Sequence, residues 1–247
     1  MANSSQSKQK SSRHSSKASQ PRFHPRYPTE PLIHKPTYRG FILDYQREGP
    51  YLQKGLDKLD LMLKKQLKAY PSMAAVRFEY PIPNALQIKA RNHPYAKKIA
   101  QAINQHLTCY PETPDGKNLQ AYLNRATVIY SIHGNAKIKQ MYWQFVVLVN
   151  AQLFQSPNGS HQNLNLQPDY TAILDCVYPA IAAVTKQTLE TVLYEIEINS
   201  THWLPLSTLH YLRTGAVRDL YKHTAYLAEA MGKPSEVHFK LIDAVKI

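Results

Sequence analysis

Met141-Tyr142-Trp143-Gln144-Phe145-Val146-Val147-Leu148-Val149-Asn150 reads as a buried strand that ends at a polar turn. Tyr142 and Gln144 stand two residues apart, so both project from the same face of the sheet. A strand presents a pair of metal ligands in that way, and a partly exposed sheet face with ordinary packing is the plainer account. Which of the two holds depends on what surrounds the strand.

Working outward, Ala126–His133 (ATVIYSIH) forms a second strand, ended by Gly134-Asn135, and pairs with 141–149 as a hairpin. Ala74–Tyr80 alternates, with Val76, Phe78 and Tyr80 on one face and Arg77 and Glu79 on the other. Thr191–Asn199 (TVLYEIEIN) supplies a fourth strand. Leu52, Leu56, Leu59, Leu63, Leu67 and Tyr70 recur every three or four residues, which marks an amphipathic helix closed by Pro71. Lys54, Lys58, Lys64, Lys65 and Lys68 decorate its other side and read as a solvated face. Further helices are expected over Tyr95–Leu107, Tyr170–Lys186 and Ser207–Met231, the last interrupted at Gly215, with a long polar loop from Gln155 to Pro168. Strands separated by helices around a central hairpin predict an α+β fold, one antiparallel sheet with helices mainly on one face. The uncovered face would then carry function.

The chain of 247 residues has a formal net charge of +13. That balance favours a polyanionic partner, nucleic acid before an anionic membrane surface. Lys8, Lys10, Arg13, Lys17, Arg22, Arg26, Lys35 and Arg39 face only Glu30 in residues 1–40, yet the remainder is basic as well. Residues 1–20 are Ser-rich with almost no large apolar groups, so they are expected to be disordered. Pro21, Pro25, Pro28, Pro31 and Pro36 extend them as a linker, which leaves a single folded domain over 41–247. Cys109 and Cys176 have no paired spacing, so neither a disulfide framework nor a zinc site is indicated. No apolar run reaches membrane-spanning length and the first residues lack an apolar signal core, so a cytoplasmic protein without a membrane partner is expected.

Three stretches, taken together and in order, resemble the filamentous-phage (inovirus) gene-two replication initiators and their YagK/YfjJ-type prophage relatives. They are YPSMAAVRFEYP (70–81), MYWQFVVLVN (141–150) and YKHTAYLAEAMGK (221–233). The resemblance implies an HUH-type endonuclease fold in a bacterial host cell. It also implies rolling-circle initiation, in which a tyrosine attacks a DNA phosphodiester and is joined to the 5′ phosphate while a divalent metal, Mg²⁺ or Mn²⁺, polarises that phosphate. Single-stranded or supercoiled origin DNA and a host replication helicase are the partners it suggests.

Counted back from Asn150, the family's two metal-binding histidines fall on Tyr142 and Gln144. A Gln carbonyl is a hard oxygen donor suited to Mg²⁺ or Mn²⁺, whereas a protonated phenol is a poor one. His133, about where relatives carry an acidic residue, and Glu79 are further candidate ligands. The family's Arg-x-Ser-Tyr-Leu-Ala-Lys segment places the nucleophile on Tyr226 and its lysine on Glu229. On a continuous helix Val217, Leu220, Tyr221, Thr224, Leu227, Ala228 and Met231 make the apolar stripe. Tyr221 then belongs to the core, and Tyr226 faces outward beside Lys222, which could supply the missing cation. Lys8, Lys10, Arg13, Lys17 and Arg77 are the expected nucleic-acid contacts. Loss of the motif histidines and lysine keeps a second function open, a catalytically degenerate DNA-binding replication or regulatory protein on the same scaffold.

Overall fold

The computed structural model describes residues 23–24, 27–43, 49–70, 72–86, 94–108, 126–135, 140–154, 170–204, 210–229 and 242–246. Its centre is β8 (Gln140–Asn150), the stretch that opened the sequence reading. It pairs antiparallel with β7 (Thr127–Asn135) on one side and β6 (Met73–Pro81) on the other. β10 (Ile242–Lys246) and β9 (Glu197–Leu204) complete a five-stranded sheet in the order β10-β7-β8-β6-β9, antiparallel throughout. An α+β architecture around an antiparallel sheet is therefore what the chain adopts.

Both faces of this sheet are covered. Trp143, Phe145, Val147 and Val149 pack, with Val76, Phe78 and Tyr130, under α2 (Pro94–Thr108) and α3 (Tyr170–Thr185). Val146 and Leu148, with Ala75 and Ile129, pack under α1 (Gln53–Ala69) and α5 (His210–Ala225). This corrects the expectation of helices mainly on one face. The run Phe145 to Val149 is apolar at every position, and successive side chains of a strand point to opposite faces, so each face demands a cover.

Three boundaries also move. Residues 27–40 were expected to be linker, but β2 (Tyr27–Ile33) pairs with β1 (Phe23–His24) and with β5 (Tyr51–Leu52). Proline's φ is compatible with extended backbone, and the buried contact of Leu32 with Leu52 gives this strand an anchor. A hairpin of β3 (Thr37–Tyr38) and β4 (Phe41–Ile42) follows, turning through Arg39 (φ 48°) and Gly40 (φ 85°). The strand expected over Thr191–Asn199 begins as helix α4 (Leu189–Glu195), because Thr188 caps it by accepting from the Thr191 N–H at 3.2 Å. Finally, α5 runs unbroken through Gly215 and stops at Ala225, where a 3₁₀ turn, Tyr226–Ala228, takes over. The Ser-rich residues 1–20, Cys109 and the 155–168 loop lie outside the described residues.

Candidate functional site

The face of the sheet under α1 and α5 is apolar in its middle and polar toward one end. Register sets this up: Gln144 lies opposite Glu79 on β6 and opposite Ser131 on β7, while Tyr142 lies opposite His133. Glu197 on β9 is paired with Glu79. Glu197, Glu79, Gln144 and Ser131 therefore form one row across four strands.

Gln144 is 2 % exposed and both ends of its amide are occupied. Its Oε1 accepts from Ser131 Oγ at 2.9 Å, and its Nε2 donates to Glu79 Oε1 at 3.0 Å. A buried amide satisfied at both ends is stable where it stands, and turning its carbonyl to a cation would strand the Ser131 hydroxyl. Tyr142 is half-buried, and its phenol is pushed up by burial and by the carboxylates of Glu197 and Glu79, so it stays protonated. His133 is drawn to the other side of the row, its Nδ1 3.7 Å from Glu229 Oε2. Among the described residues no three His, Cys, Asp or Glu side chains are grouped to hold a metal ion. Tyr142, Gln144 and His133 do come to one end of one face, as expected, but the Gln144 amide is engaged by Ser131 and Glu79, and His133 stands beside Glu229.

Tyr226 was expected to face outward, and it faces the core. It is 1 % exposed, and its hydroxyl donates to the Phe145 carbonyl at 3.0 Å. The helical wheel misplaced it because it assumes one buried stripe, whereas Thr224, Ala225, Tyr226, Leu227 and Ala228 are all buried, so this end of the helix and the turn after it are covered on more than one side. Lys222 is exposed on α5, whereas Tyr226 is buried. The cation beside the ring is Arg77, whose guanidinium carbon stands 3.3 Å from the Tyr226 centroid. Arg77, expected as a nucleic-acid contact, is half-buried as the cover of this ring. Tyr221 is in the core as expected, stacked on Phe41 at 4.1 Å between centroids. Lys8, Lys10, Arg13 and Lys17 lie outside the described residues.

A second polar group lies where α5 meets β9, and sequence reasoning passed over it. Ser200 Oγ and His223 Nδ1 share a hydrogen bond of 2.9 Å, and His202 Nε2 donates to the Ala216 carbonyl at 2.9 Å. Burial, then His202 and then Arg77 hold the His223 imidazole down at about 3, so it is neutral here. Its Nε2 is buried without a hydrogen-bond partner among the described residues. Only knowledge that α5 packs on the edge strand could have brought Ser200 and His223 together, since they are far apart in sequence.

Compared with protein-family models, with curated proteins and with solved structures, the chain matches none.

Proposed function

We propose that this chain is a DNA-binding replication or regulatory protein of the initiator type, in which the metal and tyrosine positions have become structural. The observation that carries this reading is the occupation of both positions: Gln144 is held between Ser131 and Glu79, and the Tyr226 hydroxyl is spent on the Phe145 carbonyl. The net charge of +13 supports a polyanionic partner. Among the described residues no helix is long and apolar enough to cross a membrane. The ordered motifs supply the link to DNA replication, with a host replication helicase as a candidate protein partner.

Covalent capture tests the proposal. Supercoiled plasmid from the protein's own genetic element is incubated with the chain and Mn²⁺, or Mg²⁺, beside Tyr226→Phe. Binding without covalent complex, equal for both proteins, is the expected result. Nicked DNA carrying protein, lost in Tyr226→Phe, would overturn it in favour of a metal-dependent nicking initiator with Tyr226 joined to the 5′ phosphate. No binding at all would remove both readings.

A further inference from the structure

We infer that α1 is the surface on which this protein meets duplex DNA, its lysines lying along the phosphate backbone. The inference rests on the DNA-binding reading above and says where that binding happens. Lys54, Lys58, Leu61, Lys65 and Lys68 are spaced by alternating fours and threes, which puts them on one side of the helix. At 1.5 Å per residue the stripe is about 21 Å long. Lys54, Lys65 and Lys68 are exposed, and Leu61, in their midst, is 70 % exposed.

The neighbouring charges reinforce the stripe. Both carboxylates of α1 are engaged: Asp57 accepts from Tyr38 at 2.5 Å and pairs with Arg39 at 2.5 Å, and Asp60 pairs with Arg39 at 3.0 Å and Lys64 at 2.8 Å. Lys54, at the start of the stripe, is itself paired with Glu30 at 2.8 Å, so the stripe's positive sign rests on Lys58, Lys65 and Lys68. The β3–β4 hairpin therefore brings a cation to the helix's only acids, and the stripe keeps its positive sign. Beside it a surface depression of about 550 Å³ includes His34, Lys35, Tyr38 and Arg39 in its lining. The adjoining helix α5 adds exposed Arg218 and Lys222 against Asp219. On the other face of the sheet the signs are mixed, with exposed Lys97 and Lys98 on α2 but Asp175 on α3 and Glu190 on α4.

Nucleic acid fits this surface better than a lipid bilayer does. A helix that lies in a membrane interface needs an apolar face to insert. The apolar face of α1, with Leu56, Leu59 and Leu63, is already buried on the sheet. What remains outside is charge, which recognises phosphates without reading bases.

The test compares wild type with Lys58/Lys65/Lys68→Gln, with the charge-keeping Lys58/Lys65/Lys68→Arg, and with Lys97/Lys98→Gln on the other face. Fluorescence anisotropy on a duplex of about 30 base pairs is read between about 50 and 200 mM salt. The Gln triple is expected to bind about tenfold more weakly or worse, with a salt slope smaller by about 2.7, or about 0.9 per lost contact. The Arg triple and Lys97/Lys98→Gln should track wild type, and circular dichroism should show all four folded. If wild type binds DNA and the Gln triple binds it equally with the same slope, α1 is not the surface, although the DNA-binding reading stands. If wild type binds phosphatidylcholine vesicles containing phosphatidylserine but not DNA, that reading and this inference both fall.

Discussion

At the residue scale, the positions that the resemblance singled out are buried polar groups with partners. Gln144 is a core position: its amide bridges a hydroxyl on β7 and a carboxylate on β6. Gln144→Ala should therefore destabilise by about 1–3 kcal/mol, since it removes the buried hydrogen bonds to Ser131 and Glu79, and chemical denaturation measures this directly. Tyr226→Phe should cost about 1 kcal/mol, a fall in Tm of about 2–4 °C, while DNA binding is unchanged. His223 adds a pH dependence. Its imidazole is neutral in the folded chain down to about 3, whereas an unfolded histidine takes up a proton near 6.5. Between those values the unfolded state binds more protons, so stability falls as pH drops through that window. A denaturation series across pH should show a shallower acid decline for His223→Asn than for wild type. The sequence offered the identities of these side chains but not their partners. Ser131 and Glu79 flank Gln144 only once register is known, and Arg77 covers Tyr226 only once α5 has ended.

At the element scale, the legible parts were those with a strong period. The lysine- and leucine-rich helix follows from apolar spacing of three and four, the strand at 74–80 from alternation and the hairpin of β7 and β8 from two apolar runs around Gly134-Asn135, and all are present. What escaped was punctuation. Thr188 as a cap turned an apparent strand into α4, and α5 stops at Ala225, where cover on more than one side buries Tyr226. Periodicity reports which face an element presents, but not where it stops. Two glycines separate these effects experimentally. Gly40 sits at φ 85° with nothing within 4 Å of where a Cβ would lie, so Gly40→Ala meets only backbone strain and should cost about 1 kcal/mol. Gly215 lies inside α5 with equally open space, and Gly215→Ala should stabilise by about 0.5–1 kcal/mol. Thermal melts of the two variants should move in opposite directions.

At the scale of the whole molecule, the fold class was readable and the number of covered faces was not. Alternation in Ala74–Tyr80 suggests a sheet with one wet side, and that pattern was extended to its neighbours. The uninterrupted apolar run of β8 says otherwise, since it needs a helix layer on each side. With both faces covered, the proposed DNA contact lies on the outside of a helix layer and not on an open sheet face. Charge predicts how that exterior behaves: removing the first twenty residues should weaken DNA binding while leaving a salt-dependent remainder, because the described part keeps its own cations. Anisotropy titrations of the shortened chain across salt concentrations read both quantities.

The edges of the sheet carry a consequence for how the chain assembles. β7 and β8 are neighbours in sequence, but Ile242 finds Ser131 across the rest of the protein, and Leu204 finds Met73 in the same way. Both rims of this sheet are thus laid down by pairings between residues far apart in sequence. The central hairpin can form early, whereas the outer strands must wait, and loop closure over such separations is slow. Substitutions at the hairpin should retard refolding, and those at the rims should mainly hasten unfolding.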